Sequence, residues 1–334
     1  MKILFVGDIN LGEYYPSIGN GPGTFAETNY LFSEVQSIID ECDFCVGNLE
    51  ASITSKGWSS NNPEDLILKV KPSVAGQLKK AKFKVLQVAN NHAIQHGDES
   101  FNECLKILDD LKINPVGLKS QKLVRVSAND VSIGFLAASD VPDNTYRDQD
   151  TYQKINEEFS RLVKESVSEV DHLVVMLHWG LEESPVPLPY QREYAKQLKE
   201  MGVSVIIGSH PHIFYEISKV NGFMSAYSLG NFIFDLCWDE RLSRSGALQI
   251  EFSKNSISGK VWPISLKKNG SLPTITGSPI TIDDNVVLYD NGKSVKWQRV
   301  RKVVYMAKNI LKGKTRQKIR FLMSKVVSTI GISK

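Results

Sequence analysis

The first two hundred residues alternate short apolar runs with stretches of helical spacing. KILFV (2–6), DFCVG (43–47), KVLQVA (84–89), HLVVMLH (172–178) and VSVIIGS (203–209) read as buried strands. Between them, NYLFSEVQSIIDEC (29–42), PSVAGQLKKA (72–81), DESFNECLKILDDL (98–111), NEEFSRLVKESVSEV (156–170) and YQREYAKQLKEMG (190–202) carry helical periodicity. Acidic residues open the 98–111 helix, as its dipole favours, and Gly202 closes the 190–202 helix. KLVRVSA and VSIGFLAAS form a strand pair turning at Asn129–Asp130. After residue 212 the runs IFYEISKV, GFMSAYSLG, GALQIEFS and ISGKVWPIS are short, alternating and separated by turn residues, which predicts an antiparallel meander. Alternating β and α units followed by consecutive strands predict an α/β fold, a central mixed sheet with flanking helices extended by antiparallel strands.

Composition narrows the class. The chain has 334 residues, 42% hydrophobic and 23% charged, which is normal for a soluble globular protein with a full core. Its apolar runs are strand-length, short of the ~18 residues that span a bilayer. In MKILFVGDIN, Asp8 and Asn10 interrupt the apolar run before a signal-peptide core could form, so the chain is expected to be cytoplasmic. Cys42 and Cys45 form a CxxC without a matching second pair, and read as small buried hydrophobes.

Charge divides the chain in two. Residues 291–334 hold 13 of the 40 Lys and Arg and no Asp or Glu, leaving 27 basic and 37 acidic residues in 1–290, a net of −10 there. The expected organisation is a domain over 1–290 and a basic amphipathic helical tail over 291–334. In the tail, Val300, Val303, Val304, Ala307, Ile310 and Leu311 recur at helical intervals, and Ile319, Leu322, Met323 and Val326 repeat the pattern after Gly313. Such a tail suits peripheral contact with an anionic membrane surface or packing on its own acidic body. Nucleic acid is disfavoured, because aromatic stacking residues are not interleaved with base-reading polar groups.

Candidate chemistry sits at the strand ends. The five apolar runs lead into Gly7-Asp8-Ile9-Asn10, Gly47-Asn48-Leu49-Glu50, Asn90-Asn91-His92, His178-Trp179-Gly180 and Gly208-Ser209-His210-Pro211-His212. Four of the six histidines lie there. Parallel strands would bring these ends to one edge, where α/β sheets form their sites, and the glycines would let the backbone turn sharply. Imidazole with carboxylate and amide oxygens favours Mn, Fe or Zn. A carboxylate shared by two ions about 3.5–4 Å apart suits activation of water for attack on phosphorus. His210 and His212, one residue apart on an extended segment, would face the same side.

The phrases GDINLG, GNLE, ANNHAIQHG, HWGLE, GSHPHI and YSLGNFIFD together resemble the calcineurin-like metallophosphoesterase superfamily, and most closely its capsule-synthesis branch, the CapA or poly-gamma-glutamate biosynthesis family. The resemblance covers about residues 1–240. It implies a metallophosphoesterase-like β-sandwich of mixed sheets flanked by helices, holding one or two divalent metal ions. It further implies that Asp8 and His212 bind a first metal, that Glu50 bridges, and that Asn91, His178 and His210 bind a second. His92 and Asn91 would be the catalytic residues, His92 assisting a leaving oxygen, and Lys71, Asn48 and Asn231 would contact substrate. Asn10, which would offer a neutral amide oxygen to the metal, stands where the wider superfamily has a histidine ligand, and Gln95 where the branch has Asp.

The implied function is metal-dependent hydrolysis in capsule or exopolymer biosynthesis, on an anionic polymer or a phosphorylated small molecule. Two alternatives stand beside it: amide hydrolysis or transfer on a gamma-linked glutamate polymer, and a non-catalytic accessory role binding polymer or synthesis partners.

Overall fold

A computed structural model describes residues 1–58, 62–145, 151–284, 287–288 and 298–329. Two mixed sheets face one another. The nine-stranded sheet runs in the order Leu272–Ile275, Ser256–Lys267, Arg244–Ser253, Lys2–Ile9, Phe44–Leu49, Phe83–Gln87, Asn114–Val116, with Asn231–Ile233 also on Lys2–Ile9 and Ile280–Ile282 on Ser256–Lys267. The seven-stranded sheet runs Val287–Leu288, Ile217–Val220, Phe223–Ala226, Val205–Ser209, His172–His178, Val131–Ser139, Val124–Ala128. In both sheets the central strands are parallel; the outer strands pair antiparallel except Asn114–Val116, which lies parallel to Phe83–Gln87 at one edge of the first sheet.

The central strands, such as Lys2–Ile9, Phe44–Leu49, His172–His178 and Val205–Ser209, are mostly apolar because both of their faces are buried. Ile3, Phe5, Val46 and Val85 belong to one apolar cluster with Val174, Met176, Val205 and Ile207 of the other sheet. The alternate positions Leu4, Cys45, Leu86, Val175 and Ile206 pack outward with helix residues such as Ile39, Leu78, Leu108, Val163 and Leu198. Cys42 and Cys45 are buried free thiols in that outer layer.

Three expectations need correction. The segment after residue 212 is not one meander. Ile217–Val220 and Phe223–Ala226 join the second sheet, Asn231–Ile233 crosses to lie parallel to Lys2–Ile9, and Arg244–Ser253 and Ser256–Lys267 form a hairpin on the first sheet. Alternation reports that a strand has two unlike faces, not which sheet it joins. The helical pattern over 29–42 yields only a 3-10 turn, Ser33–Val35, and the short helix Gln36–Asp40. The strand glycines are not turn residues. Gly7 and Gly208 lie inside strands, where a Cβ would come within 1.8 Å of Gly230 O and 1.9 Å of Tyr227 O, so they permit close backbone approach.

The tail forms two helices, Gln298–Asn309 and Thr315–Thr329, broken near Gly313 at φ 66°. One face rests on the body. Tyr305 meets Trp238 edge-on at 6.4 Å, Phe321 stacks on Tyr15 at 4.6 Å, and Lys314 N donates to Ile18 O at 2.9 Å. No helix among the described residues is long and apolar enough to cross a membrane.

Candidate metal centre

The ends of strands from both sheets meet at one edge of the sandwich. Parallel pairing aligns Asp8 with Asn48 and Asn48 with Gln87 in the first sheet, and His178 with Ser209 in the second. The chain leaving these strands carries Glu50, Asn91, His92, His210 and His212, and all of them are buried together with Asp8 and His178. Glu50, His178 and His210 bring one donor atom each within 4.8 Å of one another, and so do Asp8, Glu50 and His212. Glu50 therefore belongs to both groups.

Its Oε1 lies 3.7 Å from His212 Nε2, 3.7 Å from His92 Nε2 and 3.9 Å from His178 Nε2, yet has no hydrogen-bond partner. His210 Nδ1 is also buried without a partner. Orphaned buried polar atoms are costly, and two of them among four imidazoles and two carboxylates fit a site shaped for divalent cations. Asn91 Oδ1 lies 2.8 Å from His178 Nε2, and His212 Nδ1 lies 3.2 Å from Asp8 Oδ2.

Burial governs the charges. It pushes His178 well below the usual imidazole range, aided by the neighbouring His210, His212 and His92. It takes His210 down to about 3, with His212 and His92 adding to the effect, and takes His92 to about 4 against the opposing Gln95 hydrogen bond. Neutral imidazoles keep the lone pair that a cation needs. Burial also disfavours charge on His212, but Glu50 and Asp8 outweigh it and lift that ring to about 10. Glu50 itself is raised well above the carboxylate range, by burial first, with His212 opposing and Asp8 adding. A bound cation would reverse that balance, because its own charge dominates so small a space.

His210 and His212 face the cluster for a reason other than extended alternation. Both have positive φ, 94° and 59°, on either side of Pro211. A left-handed non-glycine residue costs roughly 1–3 kcal/mol, and such strain concentrates at functional sites.

Residues 2–236 match the family described as Bacterial capsule synthesis protein PGA_cap. The chain belongs to that family. It is 29% identical over 261 residues to the PGA biosynthesis protein CapA of Bacillus subtilis (strain 168), covering 75% of this chain and 67% of the relative. It is 25% identical over 322 residues to the Capsule biosynthesis protein CapA of Bacillus anthracis, covering 90% and 75%. Among solved structures it resembles a putative 5'-nucleotidase from Staphylococcus aureus in complex with alpha-ketoglutarate, with a TM-score of 0.50 and 12% identity over 91% of this chain and 58% of that one. The fold is a metallophosphoesterase-like sandwich of mixed α/β type. The family match contains every residue of the cluster and ends before the tail.

The remaining candidates from the sequence are placed unevenly. Asn10 has both polar ends engaged, its Oδ1 accepting from Gly12 N at 2.9 Å and its Nδ2 donating to Asp235 at 3.2 Å. Asn48 donates to Asp8 at 2.8 Å and accepts from Asn90 at 3.2 Å. Asn231 accepts at His212 Nδ1 at 2.9 Å and donates to Leu242 O, so it orients that ring. Lys71 stands outside the buried cluster, paired with Glu27. Sequence reasoning missed Asn144, which accepts from Asn91 Nδ2 at 3.1 Å and sets its own amide 3.0 Å from His92 Nδ1. It also missed the part played by Asn90, whose Oδ1 accepts from His92 N at 3.1 Å. Asn144 follows Pro142-Asp143 in what reads as ordinary turn sequence, so nothing local marks it.

Proposed function

We propose that the chain is a metal-dependent hydrolase of a phosphoester or related bond, acting in the assembly of a capsule or exopolymer. The observation that carries this reading is Glu50, whose buried Oε1 is unpartnered and whose carboxylate is common to both donor groups. Asp8, Glu50 and His212 would hold one divalent cation, and Glu50, Asn91, His178 and His210 another, with Mn, Fe or Zn suited to the donors. Bound cations supply Lewis acidity toward a phosphoryl or acyl oxygen and lower the pKa of water.

The chain's own residues do the rest. Asn48 and Asn231 fix Asp8 and His212 by hydrogen bonds, and Asn90 holds Asn48 and the Leu49 carbonyl behind them. Gln95 Oε1 accepts a hydrogen bond from His92 Nδ1 at 2.6 Å, which leaves Nε2, on the Glu50 side, as the nitrogen that would exchange a proton with a reacting oxygen. Lys69, Lys71 and Lys314 line a cleft with Gly12, Glu13 and Glu27, and the excess of basic over acidic side chains there supports an anionic polymer or phosphorylated small molecule as substrate. The names of the relatives in Bacillus support the polymer setting.

Gln95 also favours a second reading, an accessory protein that binds polymer without turnover. A neutral amide stabilises an imidazolium less than a carboxylate would. Metal analysis of purified protein, with assays on bis-p-nitrophenyl phosphate and on a gamma-linked glutamate oligomer, separates the two. Bound Mn, Fe or Zn with turnover abolished in His178→Ala is the expected result. A metal-free protein that stays inert after Mn addition would overturn the hydrolase reading.

A further inference from the structure

The helix Gln298–Asn309 has two unlike faces, and its apolar stripe points away from the body. On the docked face, Tyr305 and Met306 contact Ser17 and Tyr15, Asn309 is buried, and Lys302 lies 4.2 Å from the Trp238 ring. On the opposite face, Val300, Val303, Val304 and Ala307 follow one another at spacings of three and four, with Leu311 just beyond the helix end. All five are exposed, Val303 to 64% and Leu311 to 82%. Helical geometry places them in one stripe roughly 100° wide. Arg301, Lys308 and Lys312 run along its flank, also exposed. In the second tail helix Ile319 and Met323 are exposed at 47% and 59% beside Arg316. Packing on the body therefore uses Tyr305, Met306 and Phe321 and leaves these aliphatic residues in water, so that packing does not account for their spacing.

We propose that this outer face of the tail is a docking surface for an anionic lipid bilayer. Valine, leucine, isoleucine and methionine would enter the headgroup boundary while the flanking arginine and lysine side chains meet lipid phosphates. Charge selects this occupant. Two copies apposed through the stripe would set Arg301, Lys308 and Lys312 of each against those of the other, and residues 291–334 contain no acid to relieve the repulsion. A nucleic acid would use the basic flank but not the aliphatic stripe. The surface does not depend on the cluster at the strand ends, and it stands whether or not the hydrolase reading does.

The test is cosedimentation of the full chain with vesicles of phosphatidylcholine alone and of phosphatidylcholine with about one third phosphatidylglycerol. The wild type is expected to bind the anionic vesicles, to release them as salt rises, and to leave the neutral ones in solution. The double variant Val303→Asp/Leu311→Asp should lower vesicle partitioning roughly tenfold or more. It should leave the melting temperature unchanged, since both side chains are exposed. Arg301→Glu/Lys308→Glu should weaken binding to the anionic vesicles. Failure of the wild type to bind, or binding undiminished in the aspartate variant, would overturn the proposal. So would a dimer in vesicle-free solution that the aspartate variant dissolves.

Discussion

At the scale of single residues, Glu50 matters more than any one histidine, because its carboxylate belongs to both donor groups. Glu50→Gln keeps the shape and removes the charge. Its metal content after dialysis should fall to background, whereas His178→Ala, which spares Asp8 and His212, should lose only part. Added Mn should raise the melting temperature of the wild type and leave that of Glu50→Gln unmoved, since only a ligand bound by the native state stabilises it. Asn144 supplies a second prediction. It touches Asn91 and His92, so Asn144→Ala should weaken Mn affinity or turnover about 10–100-fold, as losses of outer hydrogen-bond partners do, read by titration calorimetry and the phosphodiester assay. The donors were legible in the sequence because Asp, Glu and His are rare types to find ending five apolar runs. The amides that hold them were not. Asn is an everyday turn residue, and Asn144 lies 53 residues from its partner Asn91.

At the scale of elements, close approach between strands decides what each position tolerates. Gly7 lies against Gly230, and Asp8 N donates to Gly230 O at 3.0 Å. Gly7→Ala puts a methyl into that oxygen and should cost roughly 1–3 kcal/mol or more, read by urea denaturation. Gly76, on the helix Pro72–Lys80, has open space around its missing Cβ, so Gly76→Ala should stabilise by about 0.5–1 kcal/mol. The strands over Lys2–Ile9 and His172–His178 were readable because both faces are buried and the apolar signal is continuous. The hairpin at Asn129–Asp130 was readable too, and both residues take the positive φ, 51° and 60°, that such a turn requires. The assignment of strands to sheets was not readable. The strand Asn231–Ile233 is three residues long, and its place beside Lys2–Ile9 depends on the backbone contact at Gly7 rather than on any apolar pattern.

At the scale of the whole molecule, charge showed the tail as a separate stretch, while its aromatic residues seat it on the body. A chain ending after residue 297 would uncover Tyr15 and Trp238. It should lose roughly 1–3 kcal/mol through the two aromatic pairs, read by thermal melting. Its metal content should persist, since the cluster ends at His212.

The cluster draws on both sheets, and Asp8 lies within hydrogen-bond reach of the His210 backbone across 202 residues of chain. No local segment can prefigure such a site during folding, so its donors converge only once the two sheets have docked. A cation held there would arrive late, after the rate-limiting long-range contacts have formed. Added Mn should therefore leave the refolding rate nearly unchanged and slow unfolding, so that the protein's persistence under stress, more than its speed of maturation, follows metal supply.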